Sequence, residues 1–262
     1  MPPKNARGVA KPLGKRVAAD HTRGQAGDPS KDVLTLCIDI GGTGIKMILV
    51  SDRGRPLTER ARVLTPRPAR PAAVLGVIKT MVAAYPRFDR VSVGFPGVVV
   101  DGVVRTAVNL GGKIWVDQPL QRELERLCKA PVRVINDADL QGYGVVDGRG
   151  VELVLTLGTG LGSALFLDGR LVPNLELGHH PFRKEKTYED RVRDSELKRL
   201  GKKAWSRRVI ETLDTINPIF NPRVIHLGGG NTEHLRGTLP RNVRLFGNVD
   251  GMTGGVKLWT NA

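Results

Sequence analysis

The tripeptide Gly-Thr-Gly occurs twice, at 42–44 and 158–160, and each copy lies between two apolar, β-rich runs. Glycine has no Cβ and reaches positive φ at little cost, so such a turn can bring backbone N–H groups close to phosphate oxygens. Asp39 precedes the first turn, where a carboxylate can hold Mg²⁺ directly or through water. Either turn alone would also suit an ordinary hairpin, but the recurrence favours a cleft that holds a phosphate chain and its metal.

The turns match neither of the two common phosphate loops. A Walker A loop needs Gly-Lys-Ser/Thr after its spacer, and this is missing from both copies. A dinucleotide fingerprint should open a helix, whereas 45–50 and 163–167 are apolar runs that continue as strands. The pattern therefore predicts strand, glycine turn, strand, twice over.

Hydrophobic periodicity and turn residues extend this pattern along the chain. Strands are predicted at 33–39, 45–51, 57–64, 90–94, 132–135, 151–157, 163–167, 170–172 and 224–227, with a hairpin over 97–106. Helices are predicted near 72–84, 118–128, 189–216 and 251–258, and one that begins at Asn136-Asp137, where Asn and Asp can cap free N–H groups. Two halves of this kind predict an α/β fold with two lobes around a central cleft.

The expected domain boundaries follow from the same pattern. We expect a tail at 1–31, a small lobe at 32–136 to which a C-terminal helix over 251–262 returns, and a large lobe at 137–250. The tail holds seven Lys/Arg against two Asp/Glu and has no hydrophobic period, which predicts disorder.

The charge of the chain is strongly positive, at +15 overall and +10 without the tail. Such a surface attracts polyanions. Eight Lys/Arg fall within 191–208 against Asp194 and Glu196, and this segment is either a solvated helix face or a track for a polyanion.

Other function classes are disfavoured by composition. The apolar runs are far shorter than the roughly 20 residues that span a bilayer, and the first residues contain no apolar signal core, so we expect a cytoplasmic protein. Cys37 and Cys128 lie in or beside apolar segments without metal spacing, which predicts buried free thiols.

Six motifs follow one another along the chain: Asp39-Ile-Gly-Gly-Thr-Gly-Ile-Lys46, Gly94-Phe-Pro-Gly97, Asn136-Asp-Ala-Asp139, Leu157-Gly-Thr-Gly-Leu-Gly162, Glu176-Leu-Gly-His179 and Gly228-Gly-Gly-Asn231. In this order they resemble the motifs of ROK-type sugar kinases, which have the actin-like ATPase (ribonuclease H-like) fold. Three further segments are similar to the polyphosphate glucokinase branch of that family: 65–68, 97–99 with 104–109, and 172–179.

The chain departs from typical family members at two points. It has no cysteine after position 128, so the family's zinc cluster is missing and no zinc is expected; the polyphosphate branch lacks it too. Residues 1–31 are too short and aperiodic for the helix-turn-helix of the family's repressors, so nucleic acid is not expected as a partner.

The resemblance implies roles for individual residues. It makes Asp137 the general base toward the sugar 6-hydroxyl, a role that a positioned carboxylate can fill. Glu176 and His179 would contact hydroxyls near the anomeric end, and Asn109 and Asn136 those nearer the middle of the ring. With one gap in the alignment, Glu189 matches another sugar-binding acid of the family.

For the phosphoryl donor, the resemblance assigns both glycine turns to the phosphates and Asp39 to Mg²⁺. In nucleotide-using relatives, the segment that matches 228–230 packs beside adenosine. Lys46 is either a phosphate contact or part of a structural ion pair, and 228–230 is either a nucleoside contact or a buried turn. These residues are Asp39, Gly41, Gly42, Thr43, Lys46, Gly158, Thr159, Gly160, Gly228, Gly229 and Gly230.

The resemblance thus implies a homodimeric glucokinase that uses Mg²⁺ with polyphosphate or ATP as donor. The short apolar runs predict that it has no membrane partner. Two alternatives stay open. One is an ATP-dependent kinase of another hexose, and the other is a non-catalytic protein of the same fold that binds polyanions or regulates.

Overall fold

The computed structural model describes residues 32–260, without the side chains of 248–250. The tail predicted at 1–31 and the last two residues of the predicted C-terminal helix lie outside the described residues.

The first half of the chain builds a five-stranded sheet with strand order β3-β2-β1-β4-β7. β1 pairs antiparallel with β2 and parallel with β4, and β2 pairs antiparallel with β3. The strands are β1 (Thr35–Ile40), β2 (Gly44–Val50), β3 (Ala61–Leu64), β4 (Arg90–Phe95) and β7 (Val132–Asn136). Between β4 and β7 in the sequence, a separate small hairpin is formed by β5 (Val99–Val100) and β6 (Val103–Val104).

The second half repeats this sheet. Its order, β10-β9-β8-β11-β12, has the same antiparallel pairs on one side of the central strand and parallel pairs on the other. The strands are β8 (Val151–Leu157), β9 (Leu161–Leu167), β10 (Arg170–Val172), β11 (Val224–Gly228) and β12 (Val243–Leu245). The duplication confirms the predicted two-lobed α/β fold.

The central strands explain why the sequence folds this way. All six residues of β1 are buried, as expected for a strand that is covered on both faces and reads as a continuous apolar run. Its acidic exception, Asp39, comes one residue before the end of the strand, where the glycine turn opens. β8 is nearly as apolar and also leads directly into a glycine turn.

Helices cover both sheets. The helices of the first half are α1 (Pro71–Val82) and α2 (Leu120–Cys128), and α3 (Asp137–Val145) lies between the two halves in the sequence. The helices of the second half are α4 (Tyr188–Val192) and α5 (Asp194–Phe220). The helix predicted over 189–216 is therefore two helices. α5 is itself broken at Gly201, whose φ of 73° and ψ of 165° suit glycine better than any residue with a Cβ.

The C-terminal segment returns to the first sheet as α6 (Asn248–Thr253) followed by a 3₁₀ turn (Gly254–Trp259). Ser92 donates to the Gly255 carbonyl at 2.6 Å and accepts from the Trp259 indole at 2.8 Å. Met252 and Val256 pack with Cys37 of β1 in a small buried cluster. The segment thus joins the end of the chain to the strand that carries Asp39.

Three differences from the sequence prediction have local causes. The strand expected at 57–64 is reduced to β3, because 57–60 are exposed and Pro56 forms only an isolated bridge to Val50. β12 escaped prediction, since only three residues pair and two of them are exposed. The helix expected from 118 begins at Leu120, after Pro119.

Candidate active site

A cleft of about 420 Å³ lies between the two sheets and is lined by both glycine turns. The turns face each other closely: a Cβ built on Gly42 would lie 3.8 Å from the hydroxyl oxygen of Thr159. The two copies of the tripeptide therefore lie on opposite walls of one cleft.

The first turn is tied to a charged pair. Lys46 Nζ lies 2.7 Å from Oδ2 of Asp39, and Asp39 is almost fully buried. The turn itself closes with Gly41 N–H donating to the Gly44 carbonyl at 3.1 Å, and the Thr65 hydroxyl donates to the Gly41 carbonyl at 2.5 Å. Lys46 therefore forms an ion pair and also lines the cleft, and its contact with phosphate stays a prediction.

The second turn is held by neutral hydrogen bonds. The Gly158 carbonyl accepts from Asp194 N–H at 3.0 Å and from the Asn231 side-chain amide at 3.1 Å. Gly158 N–H in turn donates to the Gly160 carbonyl at 3.0 Å. These contacts fix the turn against the start of α5 and the segment that follows β11.

Between the turns lies the start of α3. Asn136 caps this helix, since its Oδ1 accepts from the N–H groups of Ala138 at 2.8 Å and Asp139 at 3.2 Å. Its amide nitrogen donates to Oε1 of Glu176 at 3.2 Å. The cap was expected from the sequence, and it presents Asp137, the first residue of α3, to the cleft.

Asp137 has the most unusual electrostatic setting in the cleft. Removal from water raises its pKa, the negative charges of Asp39 and Glu176 raise it further, and the Ala138 N–H and Lys46 act in the opposite direction, to give a pKa of about 8. A carboxyl group with a pKa near the working pH can accept a proton and release it again.

Glu176 and His179 lie together on the short loop after β10. His179 Nδ1 is 3.2 Å from Oε2 of Glu176. Burial raises the pKa of Glu176, the neighbouring Glu189 adds to this, and His179 opposes it. Acceptors and donors alternate here with the Asn136 amide, an arrangement that suits a ligand with several hydroxyl groups.

Glu189 completes this group from α4. Its Oε2 accepts from the Leu161 N–H at 3.0 Å and from the Asn109 side chain at 3.2 Å, and lies 3.9 Å from Nε2 of His179. Thr187 and Asp190 form a capping box at the start of α4, which fixes the helix that carries Glu189. The gapped alignment thus led to a residue that does lie in the cleft.

A second buried carboxyl, Asp139, holds the loop that carries Glu176. Its Oδ2 accepts from Asn174 N–H at 3.1 Å, and burial raises its pKa to about 7. The Asn174 side chain then accepts from Val99 N–H and donates to the Val99 carbonyl, both at 3.2 Å. Asp139 therefore connects α3, this loop and β5, a link that only the structure reveals.

One residue predicted to lie in the site does not reach the cleft. Gly228 ends β11 beneath the ring of Phe246, where a Cβ would collide with the ring, so its glycine serves close packing. Gly229 and Gly230 do line the cleft. All other predicted site residues line it as well: Asp39, Gly41, Gly42, Thr43, Lys46, Asn109, Asn136, Asp137, Gly158, Thr159, Gly160, Glu176, His179 and Glu189.

Sequence reasoning missed several residues of the wall. Gln141 lies one helical turn after Asp137, a spacing that could have signalled it. Arg60 and Arg62 come from β3 and the residues before it, and Asp194 from the start of α5. The positions of Arg60 and Arg62 depend on the register of β3 on β2, and that of Asp194 on the packing of α5 against the second turn. No short sequence motif reports such contacts.

More than half of the cations in the basic segment 191–208 are paired with carboxylates. Five of its eight cations lie within ion-pair distance of a carboxylate, among them Arg191 on Glu211 at 2.7 Å and Lys198 on Asp194 at 2.5 Å. The other three paired cations are Arg193, Arg199 and Arg208. This favours a solvated helix face over a polyanion track.

No cluster of three or more His, Cys, Asp or Glu side chains with the arrangement of a metal centre exists among the described residues. None of the helices within 32–260 is both long and apolar enough to cross a lipid bilayer.

Comparison with known proteins agrees with this geometry. The ROK family profile matches residues 35–188. The polyphosphate glucokinase of Mycobacterium tuberculosis is 36% identical over 203 residues, which cover 74% of this chain and 76% of the relative.

Two solved structures have the same architecture. The inorganic polyphosphate/ATP-glucomannokinase of Arthrobacter sp. strain KM is 33% identical with a TM-score of 0.79, covering 87% of this chain and 98% of its own. A ROK family glucokinase of Streptomyces griseus, in complex with glucose and AMPPNP, has a TM-score of 0.72 at 20% identity, with coverages of 86% and 98%. The second likeness bears on the fold alone.

Proposed function

The chain belongs to the ROK family, and we propose that it is a sugar kinase that transfers a phosphoryl group from polyphosphate or ATP to the 6-hydroxyl of glucose. The names of the M. tuberculosis and Arthrobacter relatives support glucose as acceptor and polyphosphate as donor. Because the second relative is a glucomannokinase, mannose is the alternative acceptor to test.

The observation that carries the proposal is the position of Asp137 between two chemically different walls. Its pKa responds to Asp39 beside one glycine turn and to Glu176 among the hydroxyl-binding groups. In a sugar kinase, the phosphoryl donor and the acceptor hydroxyl must meet in one cleft, with the general base within reach of that hydroxyl. A protein that only binds a polyanion has no use for a third carboxylate between them.

The acceptor side suits a sugar. Asn109, Asn136, Glu176, His179 and Glu189 combine amide and imidazole donors with carboxylate acceptors, so that few hydroxyl groups of a bound hexose would be left unpaired. Asn109 and Asn136 are themselves held by Glu189 and Glu176, which fixes the orientation of their amides before the sugar binds.

The donor side suits phosphates and Mg²⁺. Asp39 offers the hard oxygen ligand that Mg²⁺ prefers, and its charge already raises the pKa of Asp137, so a cation here would relieve repulsion between the two carboxylates. When bound, Mg²⁺ neutralises charge on the transferring group. Lys46 and the backbone N–H groups of both turns would hold the remaining phosphate oxygens.

The residues then act as follows. Asp137 accepts the proton of the sugar hydroxyl while the oxygen of that hydroxyl forms a bond to phosphorus. The bond from phosphorus to the bridging oxygen of the donor breaks, and its electron pair stays on that oxygen. Without a cation beside Asp39 the pKa of Asp137 is about 8, so its deprotonated fraction, and with it kcat/KM, should rise with pH. Mg²⁺ at Asp39 would lower this pKa and move the rise to lower pH.

The decisive experiment supplies the full chain and Mg²⁺ with glucose or mannose and with polyphosphate or ATP, and measures sugar 6-phosphate. We expect product from glucose with both donors. Absence of product in every combination, with polyphosphate still bound, would refute the kinase and favour the polyanion-binding alternative. Product from ATP with another hexose only would favour the other alternative.

A further inference from the structure

Two exposed arginines lie on the wall of the cleft that carries the first glycine turn. Arg60 and Arg62 line the cleft on the side of the first glycine turn and are exposed. Neither has a carboxylate within ion-pair distance among the residues described, whereas Lys46, the third cation of this wall, is neutralised by Asp39. The two arginines therefore supply the unbalanced positive charge of the donor side.

Strand register puts Arg62 in line with the charged pair. Asp39 on β1 is opposite Lys46 on β2, and Lys46 is opposite Arg62 on β3. Residues opposite one another project from the same face of a sheet, and neighbouring strands are about 4.8 Å apart, so Arg62 starts about 10 Å from Asp39 along one row. Because β3 is the edge strand of the sheet, the row formed by Asp39, Lys46 and Arg62 runs from the central strand to the solvent-exposed edge.

The Arg62 side chain bends back over the first turn. Its Nη2 donates to the Thr43 carbonyl at 3.4 Å, and a Cβ built on Gly44 would lie 2.7 Å from its Nε. Only part of its donor fork is used by this contact, since a guanidinium has five N–H donors in a planar arrangement that matches phosphate oxygens. Arg60 lies two residues earlier on the same approach.

From this arrangement, and resting on the proposed kinase function, we propose that Arg60 and Arg62 bind the phosphate units of polyphosphate beyond the one transferred, and so set the preference for polyphosphate over ATP. ATP carries its charge on three phosphates close to the turns and ends in a neutral nucleoside. Polyphosphate is charged along its whole length, so cations outside the turns gain contacts with it that ATP cannot make.

The test compares Arg60→Gln/Arg62→Gln with Lys202→Gln/Lys203→Gln. Lys202 and Lys203 are exposed on α5 and are not among the paired cations of the segment 191–208. Their replacement also removes two positive charges, so this variant controls for net charge. For each protein, kcat/KM is measured with polyphosphate and with ATP across a salt series, and thermal melts check folding; single arginine variants serve if the double variant does not fold.

We expect the arginine variant to lower the ratio of kcat/KM for polyphosphate to that for ATP by about tenfold or more, as charged hydrogen bonds are lost. The steeper salt dependence of polyphosphate use in the wild type should flatten in the same variant. The lysine variant should keep the wild-type ratio within about twofold. Equal losses for both donors, an equal effect in the lysine control, or a wild type that uses ATP only would overturn the inference.

Direct binding separates this inference from the kinase proposal. Calorimetric titration of polyphosphate into each protein should show weaker binding in the arginine variant alone, whether or not phosphoryl transfer occurs. A chain that binds polyphosphate through these arginines but phosphorylates no sugar contradicts the proposed function only. Unchanged polyphosphate affinity in Arg60→Gln/Arg62→Gln contradicts the inference even if the kinase is fully active.

Discussion

Replacing Asp137 with asparagine should lower activity and raise stability at the same time. As the proposed base, Asp137 contributes on the order of 10²–10⁴ to turnover, and kcat should fall by that factor while the KM for sugar changes little. Asparagine keeps the side-chain oxygen that accepts the Ala138 N–H at 2.8 Å, so the start of α3 is preserved.

The gain in stability follows from the direction of the pKa shift. The folded protein binds the Asp137 proton more tightly than the unfolded chain does, because its pKa rises from 3.8 to about 8. The stabilisation from this proton is complete below pH 4 and is lost as the pH rises toward 8. Asparagine does not titrate, so the variant does not lose this stability. The difference in free energy of unfolding between the variant and the wild type should therefore grow as the pH rises from about 4 to about 8.

The size of the gain has an upper limit of about 6 kcal/mol, at about 1.4 kcal/mol for each pH unit between the two pKa values. Asp137 is partly exposed to the cleft, and water in the cleft screens its neighbours, so we expect about 1–3 kcal/mol. For a chain of this size that is a Tm increase of roughly 3–10 °C at pH 8.5, and a much smaller one at pH 5.

Calorimetric melts at pH 5 and pH 8.5, with kcat measured on the same samples, test both parts. Asp214→Asn, which removes an exposed carboxylate of α5, is the control and should leave both Tm values and kcat nearly unchanged. A Tm difference that is the same at both pH values would refute the electrostatic reasoning. A kcat within about threefold of the wild type would refute the role as base.

Three further predictions concern the rest of the site. Glu176→Ala and His179→Ala should each raise the KM for sugar by about 5- to 100-fold, because hydroxyl groups lose partners worth roughly 1–3 kcal/mol; a change confined to the donor KM would place them on the wrong wall. Gly160→Ala should also raise the sugar KM, since a Cβ there collides with Oε2 of Glu189, whereas Gly76→Ala, with open space around its Cβ, should not; equal effects would contradict this. Metal analysis of the purified protein should find far less than one zinc per chain, as the two cysteines of the sequence cannot form the family's cluster; one tightly held zinc would reveal ligands that the sequence reading missed.

The parts of the fold that could be predicted are those with local physical signals. The apolar run of β1, the glycine turn after it and the Asn136 cap each depend on a few neighbouring residues, and each is observed near its predicted position. The break of α5 at Gly201 was missed because an isolated glycine is tolerated within a helical pattern.

The parts of the site that could not be predicted depend on distant partners. Arg62 reaches the first glycine turn only through the register of β3 on β2, and Arg191 of the basic segment is paired with the distant Glu211 of α5. Gly228 was assigned with its two neighbours by motif, but the ring of Phe246, far along the chain, takes the space beside it. Composition gives the number of charged residues and glycines, but only the fold shows which charges are paired and which glycines face the cleft.

The duplication of the sheet also shows why the fold alone does not determine the chemistry. In the first lobe the residue pair one step before the turn is Asp39 and Lys46; at the same step in the second lobe it is Thr156 and Gly162. The same scaffold thus presents charge on one wall and a neutral turn on the other. A phosphate chain between the two turns would therefore face the Asp39 carboxylate and the Lys46 ammonium on one side only. The carboxylates of the proposed acceptor side come instead from outside the repeat, Glu176 from the loop after β10 and Glu189 from α4. The proposed donor and acceptor groups therefore lie on separate elements, with Asp137 between them.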